Sequence, residues 1–214
     1  MKNYLLNALG ILGVALLAPF AVVGPATAQQ NESQPAGASG GFSLTVHSHS
    51  EGDLLFGTDP LPFPIPHGST SFTYSSRACN QSAPFNDVAL DFSPDYPGLD
   101  DPAPVRHKVE GSAQDGKRGT VTGTITTILC ESGAETKNTI TTSFTGKLRQ
   151  ASDDQVPVTG TYQITGGTGM FQDITGHGSI TGQFECLGPE TCVETGELTD
   201  AVFRLKGSYA DPTV

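Results

Sequence analysis

The sequence predicts an all-β protein made of antiparallel strands. Three observations support this class. Apolar and polar residues alternate with a period of two in several segments, as they do in strands that bury one face. Glycine and proline are frequent, with 26 and 15 residues, and tryptophan is absent. No segment after residue 28 shows the apolar stripe of a helix. About eight strands joined by polar turns predict a closed barrel or a sandwich.

The first residues have the pattern of a secretory signal peptide. Lys2 precedes an apolar run over residues 11–23, and Ala26-Thr27-Ala28 has the small side chains of a cleavage site. The run is too short and too interrupted by proline to predict a membrane span, and no later stretch is more apolar. We therefore expect residues 1–28 to be removed and the mature protein to be secreted or periplasmic, with no membrane partner.

The charge of the chain excludes some partners. The whole chain carries −11, and loss of Lys2, the only charged residue in the signal peptide, leaves −12. So acidic a surface repels nucleic acid and anionic lipid, and neither is expected as a partner. The simplest explanation of the charge is solubility outside the cell.

The mature chain has the length of one domain. Residues 29–41 are polar and predict a flexible linker. We expect the β domain to occupy residues 42–210 and a short tail to occupy residues 211–214. The clearest alternation lies in three segments, 119–130, 138–149 and 202–209. The residues predicted to face inward there include Ile140, Phe144, Leu148, Phe203 and Leu205.

A proline-rich segment lies between two predicted strands. Prolines at 60, 62, 64 and 66 alternate with Leu61, Phe63 and Ile65. Proline has no N–H to donate to a sheet, so the segment cannot be a central strand. We expect it to cover one end of the domain as a lid.

Four cysteines in an exported chain predict two disulfides, for which three pairings are possible. Cys186 and Cys192 flank a short loop with Gly-Pro, which favours a bond between them and leaves Cys79 to pair with Cys130. A zinc site is the alternative, but the C-x2-C spacing typical of such sites is absent. We therefore expect no metal and no other cofactor.

Residues 160–182 contain seven glycines and raise the question of a phosphate-binding loop. The segment lacks the lysine of a P-loop and the third glycine of a dinucleotide-binding loop. Tyr162 and Ile164 share one strand face, and Ile180 and Phe184 share another. The segment therefore predicts a strand, a glycine turn that includes His177, and a second strand.

Part of this segment resembles a known family. The motif Gly166, Gly167, Thr168, Gly169, Met170 and Phe171, together with Leu205-Lys206-Gly207, resembles the allene oxide cyclase and dirigent superfamily over the C-terminal half of the chain. The resemblance implies a calycin-like antiparallel barrel of eight strands, assembly into homo-oligomers and an apolar cavity. Plant members cyclise an oxylipin epoxide or steer the coupling of phenolic radicals, so the resemblance implies an isomerase-type or cyclase-type activity.

The catalytic residues of neither branch can be transferred to this sequence. The cyclases have an acidic residue on the first strand, where this chain has His47 and His49 and no acid before Glu51. Dirigent proteins have a His-Asp pair there, whereas Ser48 follows His47. The catalytic residues therefore stay unassigned.

The histidines offer few catalytic arrangements. His47 and His49 point to one side of a strand and could be metal ligands, catalytic groups or exposed side chains. They lie opposite the apolar face, which favours exposure. His107 and Glu110 are predicted to point to opposite faces, so they do not form an acid–base pair.

Two tyrosines are the candidate anchors for a ligand. Tyr74 and Tyr162 each bring a hydroxyl group to an apolar face, and a buried hydroxyl needs a partner. Phe63 and Phe144 are the expected apolar contacts, and tyrosine packing at a strand end is the alternative explanation. Three functions stay open: a barrel that orients an apolar small molecule for cyclisation or coupling, a lipocalin-like carrier, and a structural barrel filled by its own side chains.

Overall fold

The computed structural model describes residues 37–49, 59–79, 89–99, 102–114, 118–149, 154–186 and 192–214. In this part of the chain the protein is all-β, as predicted. The eleven strands here are β1 (Ala38–His49), β2 (Leu61–Pro62), β3 (Ser69–Ser75), β4 (Ala89–Ser93), β5 (Val105–Gln114), β6 (Thr120–Glu131), β7 (Ala134–Leu148), β8 (Gln155–Thr168), β9 (Thr175–Glu185), β10 (Glu197–Leu198) and β11 (Asp200–Asp211). A 3-10 helix, Gly169–Phe171, and a one-turn helix, α1 (Cys192–Thr195), complete the elements.

The predicted signal peptide, residues 1–28, lies outside the described residues. Within the described ranges, no helix has the length and apolar character needed to cross a membrane. Strand β1 begins at Ala38, so it includes the last four residues of the predicted linker, and β11 extends into the predicted tail.

Nine strands form one antiparallel sheet in the order β11-β9-β8-β7-β6-β5-β3-β1-β4. The sheet is strongly curled into a half-barrel. It curls so far that β11 also pairs with β1 along twelve residue pairs. By contrast, β1 meets β3 through the single pair His49 and Ser75, and it pairs with β4 over five residue pairs. Strands β1 and β3 are therefore the most weakly connected neighbours of the sheet.

The alternation of the strands places the core on the inner face of the curled sheet. The five residues predicted to face inward are all buried, and the most exposed of them, Phe144, has 3% of its surface accessible. Threonine and serine occupy much of the outer face of β6 to β9. Period-two alternation therefore identified the inner face correctly in these strands.

One row of inner-face residues combines glycines with aromatic residues. Following paired residues from strand to strand, the row contains Phe72, Gly111, Gly123, Phe144, Tyr162, Gly178, Gly207, Phe42 and Phe92. A Cβ atom on Gly123 would lie 2.7 Å from the Phe144 ring, and one on Gly178 would lie 2.7 Å from the Tyr162 ring. The rings of Phe72, Phe144 and Tyr162 thus lie against glycines of the neighbouring strands, where no side chain is present.

The proline-rich segment covers core residues at one end of the sheet. Leu61, Phe63 and Ile65 are buried, whereas the prolines at 64 and 66 are exposed. Strand β2 pairs with β10, and the Phe63 N–H donates to the Gly196 carbonyl at 2.7 Å. The apolar side chains of the segment therefore belong to the core.

A polar network closes the opposite end. The Tyr96 hydroxyl lies 2.7 Å from a carboxylate oxygen of Asp211 and 2.8 Å from the Met170 carbonyl. Asp211 also accepts hydrogen bonds from the N–H and hydroxyl of Thr213. Burial alone would raise the pKa of Asp211, but the bonds from Tyr96 and Thr213 outweigh it and lower that pKa.

Both disulfides form with the predicted pairing. Cys79 bonds to Cys130 with Cα atoms 5.6 Å apart, and Cys186 bonds to Cys192 with Cα atoms 5.5 Å apart. The second bond joins the end of β9 to α1, beside the proline-rich segment. Two disulfides fit an extracellular or other oxidising compartment.

The histidines differ in part from expectation. His177 lies within strand β9, so its prediction as a turn residue was wrong: the turn is formed by the 3-10 helix before the strand. His47 is half-buried on the outer face, with Nε2 3.9 Å from a carboxylate oxygen of Asp200. His49 belongs to strand β1, but its side chain lies outside the described part of the structure.

Candidate functional site

Tyr162 presents an unsatisfied hydroxyl group inside the half-barrel. Its backbone pairs with Phe144 on the neighbouring strand, and its ring centroid lies 5.8 Å from that of Phe42. The side chain is 3% exposed, and the hydroxyl has no hydrogen-bond partner among the described residues. Burial raises the pKa of Tyr162 to about 12, so the phenol keeps its proton at neutral pH and can donate it.

Tyr74, the other predicted anchor, uses its hydroxyl within the chain. It donates a hydrogen bond to the Leu198 carbonyl at 2.7 Å and accepts one from the Leu61 N–H at 3.0 Å. Burial raises the pKa of Tyr74, so this group also stays protonated. The hydroxyl therefore joins β3 to both β2 and β10, the two short strands at this end.

The two tyrosines belong to separate groups of aromatic rings. Tyr74 contacts Phe72 and Phe184, and Phe203 connects Phe184 with Phe144 at centroid distances of 5.3 and 5.7 Å. The ring of Tyr162 contacts Phe42, which packs in turn on Phe92. Phe63 lies in the proline-rich segment.

The predicted ligand residues are thus all buried, but they are spread along the interior. Phe144 connects the two groups, since it pairs with Tyr162 through the backbone and contacts Phe203 through its ring.

The glycine motif builds a turn. Gly169 has φ of +63°, which favours glycine, and the Met170 N–H donates to the Asn138 side chain at 3.1 Å. Thr168 contacts the hydroxyl of Thr139 at 2.9 Å. The turn places Phe171 in the core, where it packs against Tyr96. The motif therefore anchors β8 to β7 and contributes one ring to the end of the core.

His107 faces inward and is buried, which the sequence analysis did not predict. It is fully buried, and its Nδ1 lies 3.2 Å from the Thr127 hydroxyl. The backbone N–H of His107 donates to the Ser76 hydroxyl at 2.8 Å. Burial lowers the pKa of His107 to about 3, against a smaller opposing effect of the Thr45 backbone, so the imidazole is neutral at neutral pH.

The position of His107 could have been recognised from the sequence. It shares strand parity with the apolar Val105 and Val109, and this parity places it on the inner face of β5. Glu110, on the other parity, is exposed, as expected for a pair that does not act together.

The ionisation states of these groups define what the interior can bind. Tyr74 and Tyr162 are protonated phenols and His107 is a neutral imidazole. Hydroxyl groups of Thr127 and Thr142 also lie on the inner face and are buried. These groups suit an uncharged molecule with a hydrogen-bond acceptor better than an ion.

Three open grooves lie on the surface of the described part. Two of them, of about 380 and 470 Å³, share Ser143 and Thr145 on the outer face of β7. The third, of about 590 Å³, is lined by Arg118, Lys147 and Arg149 together with Gly119, Leu148, Pro157 and Thr159. Among the described residues, no group of three histidine, cysteine or acidic side chains is arranged to hold a metal ion.

The fold and the site together define a class: an all-β half-barrel with two disulfides and a mostly apolar interior. Comparisons of the chain with protein families, curated proteins and solved structures find no match.

Proposed function

We propose that this protein is an exported barrel that binds an apolar, uncharged small molecule and orients it for cyclisation or stereoselective coupling. The hydroxyl of Tyr162 is the observation that carries the proposal, because it is buried, protonated and unpartnered among the described residues. Leaving a buried donor unpaired costs roughly 1–3 kcal/mol. A carbonyl, ether or epoxide oxygen of a bound molecule would accept this hydrogen bond and remove the cost.

The surroundings of Tyr162 support an apolar ligand. Phe42 and Phe144 lie beside it, and the facing positions on the next two strands are Gly178 and Gly207. The Phe144 ring lies where a side chain at Gly123 would otherwise point, because a Cβ there would be 2.7 Å from the ring. One polar anchor in an apolar environment is the usual composition of a small-molecule site.

The proposed reaction follows from the resemblance to allene oxide cyclases and dirigent proteins. A barrel of this kind would act by enforcing one conformation of a reactive molecule and by excluding water. Tyr162 would hold an oxygen atom of the molecule and so favour one ring closure or one coupling geometry. The neutral state of His107 is compatible with this mechanism, which needs no cofactor.

We also propose that the half-barrel closes into an eight-stranded barrel. The twelve residue pairs between β11 and β1 support closure, as does the contact of His49 with Ser75 between β1 and β3. The resemblance further implies an assembly of identical copies, which sedimentation velocity would detect.

The proline-rich segment is the proposed entrance. Leu61, Phe63 and Ile65 cover core residues. The Tyr74 hydroxyl, the pairing of β2 with β10 and the bridge between Asp59 and Thr73 hold the segment. A ligand would enter when this short sheet separates from the larger one.

A structural role is the second candidate, and the packing of the interior favours it. Rings of Phe72, Phe184, Phe203 and Phe144 contact one another in sequence, with centroids 5.1 to 5.7 Å apart. Such packing is typical of a core filled by its own side chains.

The test compares the protein with its Tyr162→Phe variant. Each is incubated with oxylipin epoxides, phenolic radicals and polyenes, and both ligand binding and product stereochemistry are compared with a protein-free control. Tyr209→Phe is the matched control, because it removes another buried hydroxyl from the inner face.

The outcomes separate the candidate functions. Altered stereochemistry that is lost in Tyr162→Phe and kept in Tyr209→Phe supports the proposal. Binding with unchanged products indicates a carrier. Neither binding nor altered products leaves the structural role.

A further inference from the structure

We propose that the groove lined by Arg118, Lys147 and Arg149 binds a phosphate or sulfate group. This inference is independent of the proposed function, because it concerns the outer rim of the sheet rather than the interior. The groove is the place where three exposed cations meet on a protein whose net charge is −11.

The arrangement of the three cations follows from the strand register. Lys147 and Arg149 are two residues apart, so they point to the same side of the chain, roughly 7 Å from one another. Thr120 pairs with Lys147, and the Leu148 N–H donates to the Gly119 carbonyl at 2.8 Å. Arg118 and Arg149 each lie one residue beyond this contact, and both side chains line the same groove.

Three positive charges around one groove repel one another unless a counterion lies between them. None of the described residues that line the groove is acidic. Their remaining polar group is the hydroxyl of Thr159, which pairs across the strands with Lys147. A bound anion would remove the repulsion and accept hydrogen bonds from all three side chains.

The side chains favour tetrahedral oxyanions. Guanidinium groups present planar pairs of donors that match two oxygens of a phosphate or sulfate, and the lysine adds a compact charge. The groove volume of about 590 Å³ leaves room for more than one such group. Both a free phosphate ion and a sulfated polymer outside the cell present this chemistry.

The experiment measures binding of inorganic phosphate, dextran sulfate and uncharged dextran to the full protein by isothermal titration calorimetry. The test variant is Arg118→Gln/Lys147→Gln/Arg149→Gln. The matched control, Lys137→Gln/Arg204→Gln/Lys206→Gln, removes three exposed cations from outside the groove. Circular dichroism checks that both variants are folded.

We expect at least one of the two anions, phosphate or dextran sulfate, to bind. Its affinity for the control variant should be similar to its affinity for the wild-type protein. The test variant should bind at least about tenfold more weakly, since losing one charge-assisted hydrogen bond has roughly that effect. Binding of phosphate alone identifies a small-ion site, and binding of dextran sulfate alone identifies a polymer site. Absence of binding to both anions, or equal weakening in the two variants, would overturn the proposal.

Discussion

Replacing Tyr74 with phenylalanine removes one oxygen atom and keeps the aromatic ring. The lost hydroxyl donates to the Leu198 carbonyl and accepts from the Leu61 N–H, and both leucines are fully buried. After the substitution, neither backbone group retains this partner. Ring contacts with Phe72 and Phe184 stay possible, so the change isolates the hydrogen bonds from the packing.

The expected destabilisation can be worked from these two bonds. A buried donor or acceptor left unpaired costs about 1–3 kcal/mol, and part of this is recovered by local relaxation. We expect Tyr74→Phe to lower the free energy of unfolding by about 2–4 kcal/mol. For a domain of this size, the melting temperature would fall by roughly 5–15 °C.

Tyr162→Phe provides the contrast. Its hydroxyl has no partner among the described residues, so its removal eliminates a desolvation cost without breaking a bond. We expect the unfolding free energy to be unchanged or raised by up to about 2 kcal/mol. If Tyr162 anchors a ligand, this variant would gain stability and lose binding together.

Urea unfolding with intact disulfides, followed by far-ultraviolet circular dichroism, measures both variants against the wild type. Equal destabilisation by the two substitutions would refute the reasoning. A loss of unfolding free energy below about 0.5 kcal/mol for Tyr74→Phe would also refute it, because ordinary surface substitutions have effects of that size.

Three further predictions use the same unfolding assay. The Cys79–Cys130 bond joins residues 51 apart and the Cys186–Cys192 bond joins residues 6 apart. Replacing both cysteines of the first bond should lower the free energy of unfolding by about 4 kcal/mol, and replacing those of the second by about 2 kcal/mol, because a longer loop constrains the unfolded chain more. Equal losses would contradict this chain-entropy explanation. The pKa of His107 is about 3 in the folded protein, below its unfolded value, so the unfolded state takes up a proton first and the free energy of unfolding should fall as pH drops from 7 to 5. A variant without this imidazole should lose less of that free energy over the same range. Identical pH dependence in the two proteins would refute this. A Cβ on Gly207 would lie 2.1 Å from a backbone oxygen, whereas one on Gly41 finds its nearest atom at 3.5 Å, so Gly207→Ala should destabilise strongly and Gly41→Ala weakly; similar effects would contradict the predicted clash.

The sequence predicted features that depend on local pattern. Period-two alternation identified the inward residues of β6, β7 and β11, because a strand that buries one face must alternate. The short Gly-Pro loop between Cys186 and Cys192 favoured one pairing of the cysteines, and the structure contains it.

Features that depend on distant contacts were not predicted. Residues 211–214 were predicted to be a tail, but the Tyr96 hydroxyl, 115 residues earlier in the chain, donates a hydrogen bond to Asp211. Strand parity indicates that His107 faces inward, but its contacts with Thr127 and Ser76, 20 and 31 residues away in the chain, could not be predicted from the sequence. The weak link between β1 and β3 also depends on how the whole sheet curls, which no local pattern encodes.

The row of glycines and aromatic rings has a consequence for how the sequence can change. The rings of Phe72, Phe144 and Tyr162 fill the volume that a side chain at Gly111, Gly123 or Gly178 on the neighbouring strand would need. Each of these three rings and its glycine therefore behave as one unit. Enlarging Gly123 alone would bring a Cβ within 2.7 Å of the Phe144 ring and within 2.5 Å of the Glu110 carbonyl. A smaller residue at Phe144 would relieve the first clash and leave the second. Substitutions at the two positions should therefore be coupled through the ring contact, whereas the clash with the backbone carbonyl gives Gly123 a cost that no change at Phe144 removes.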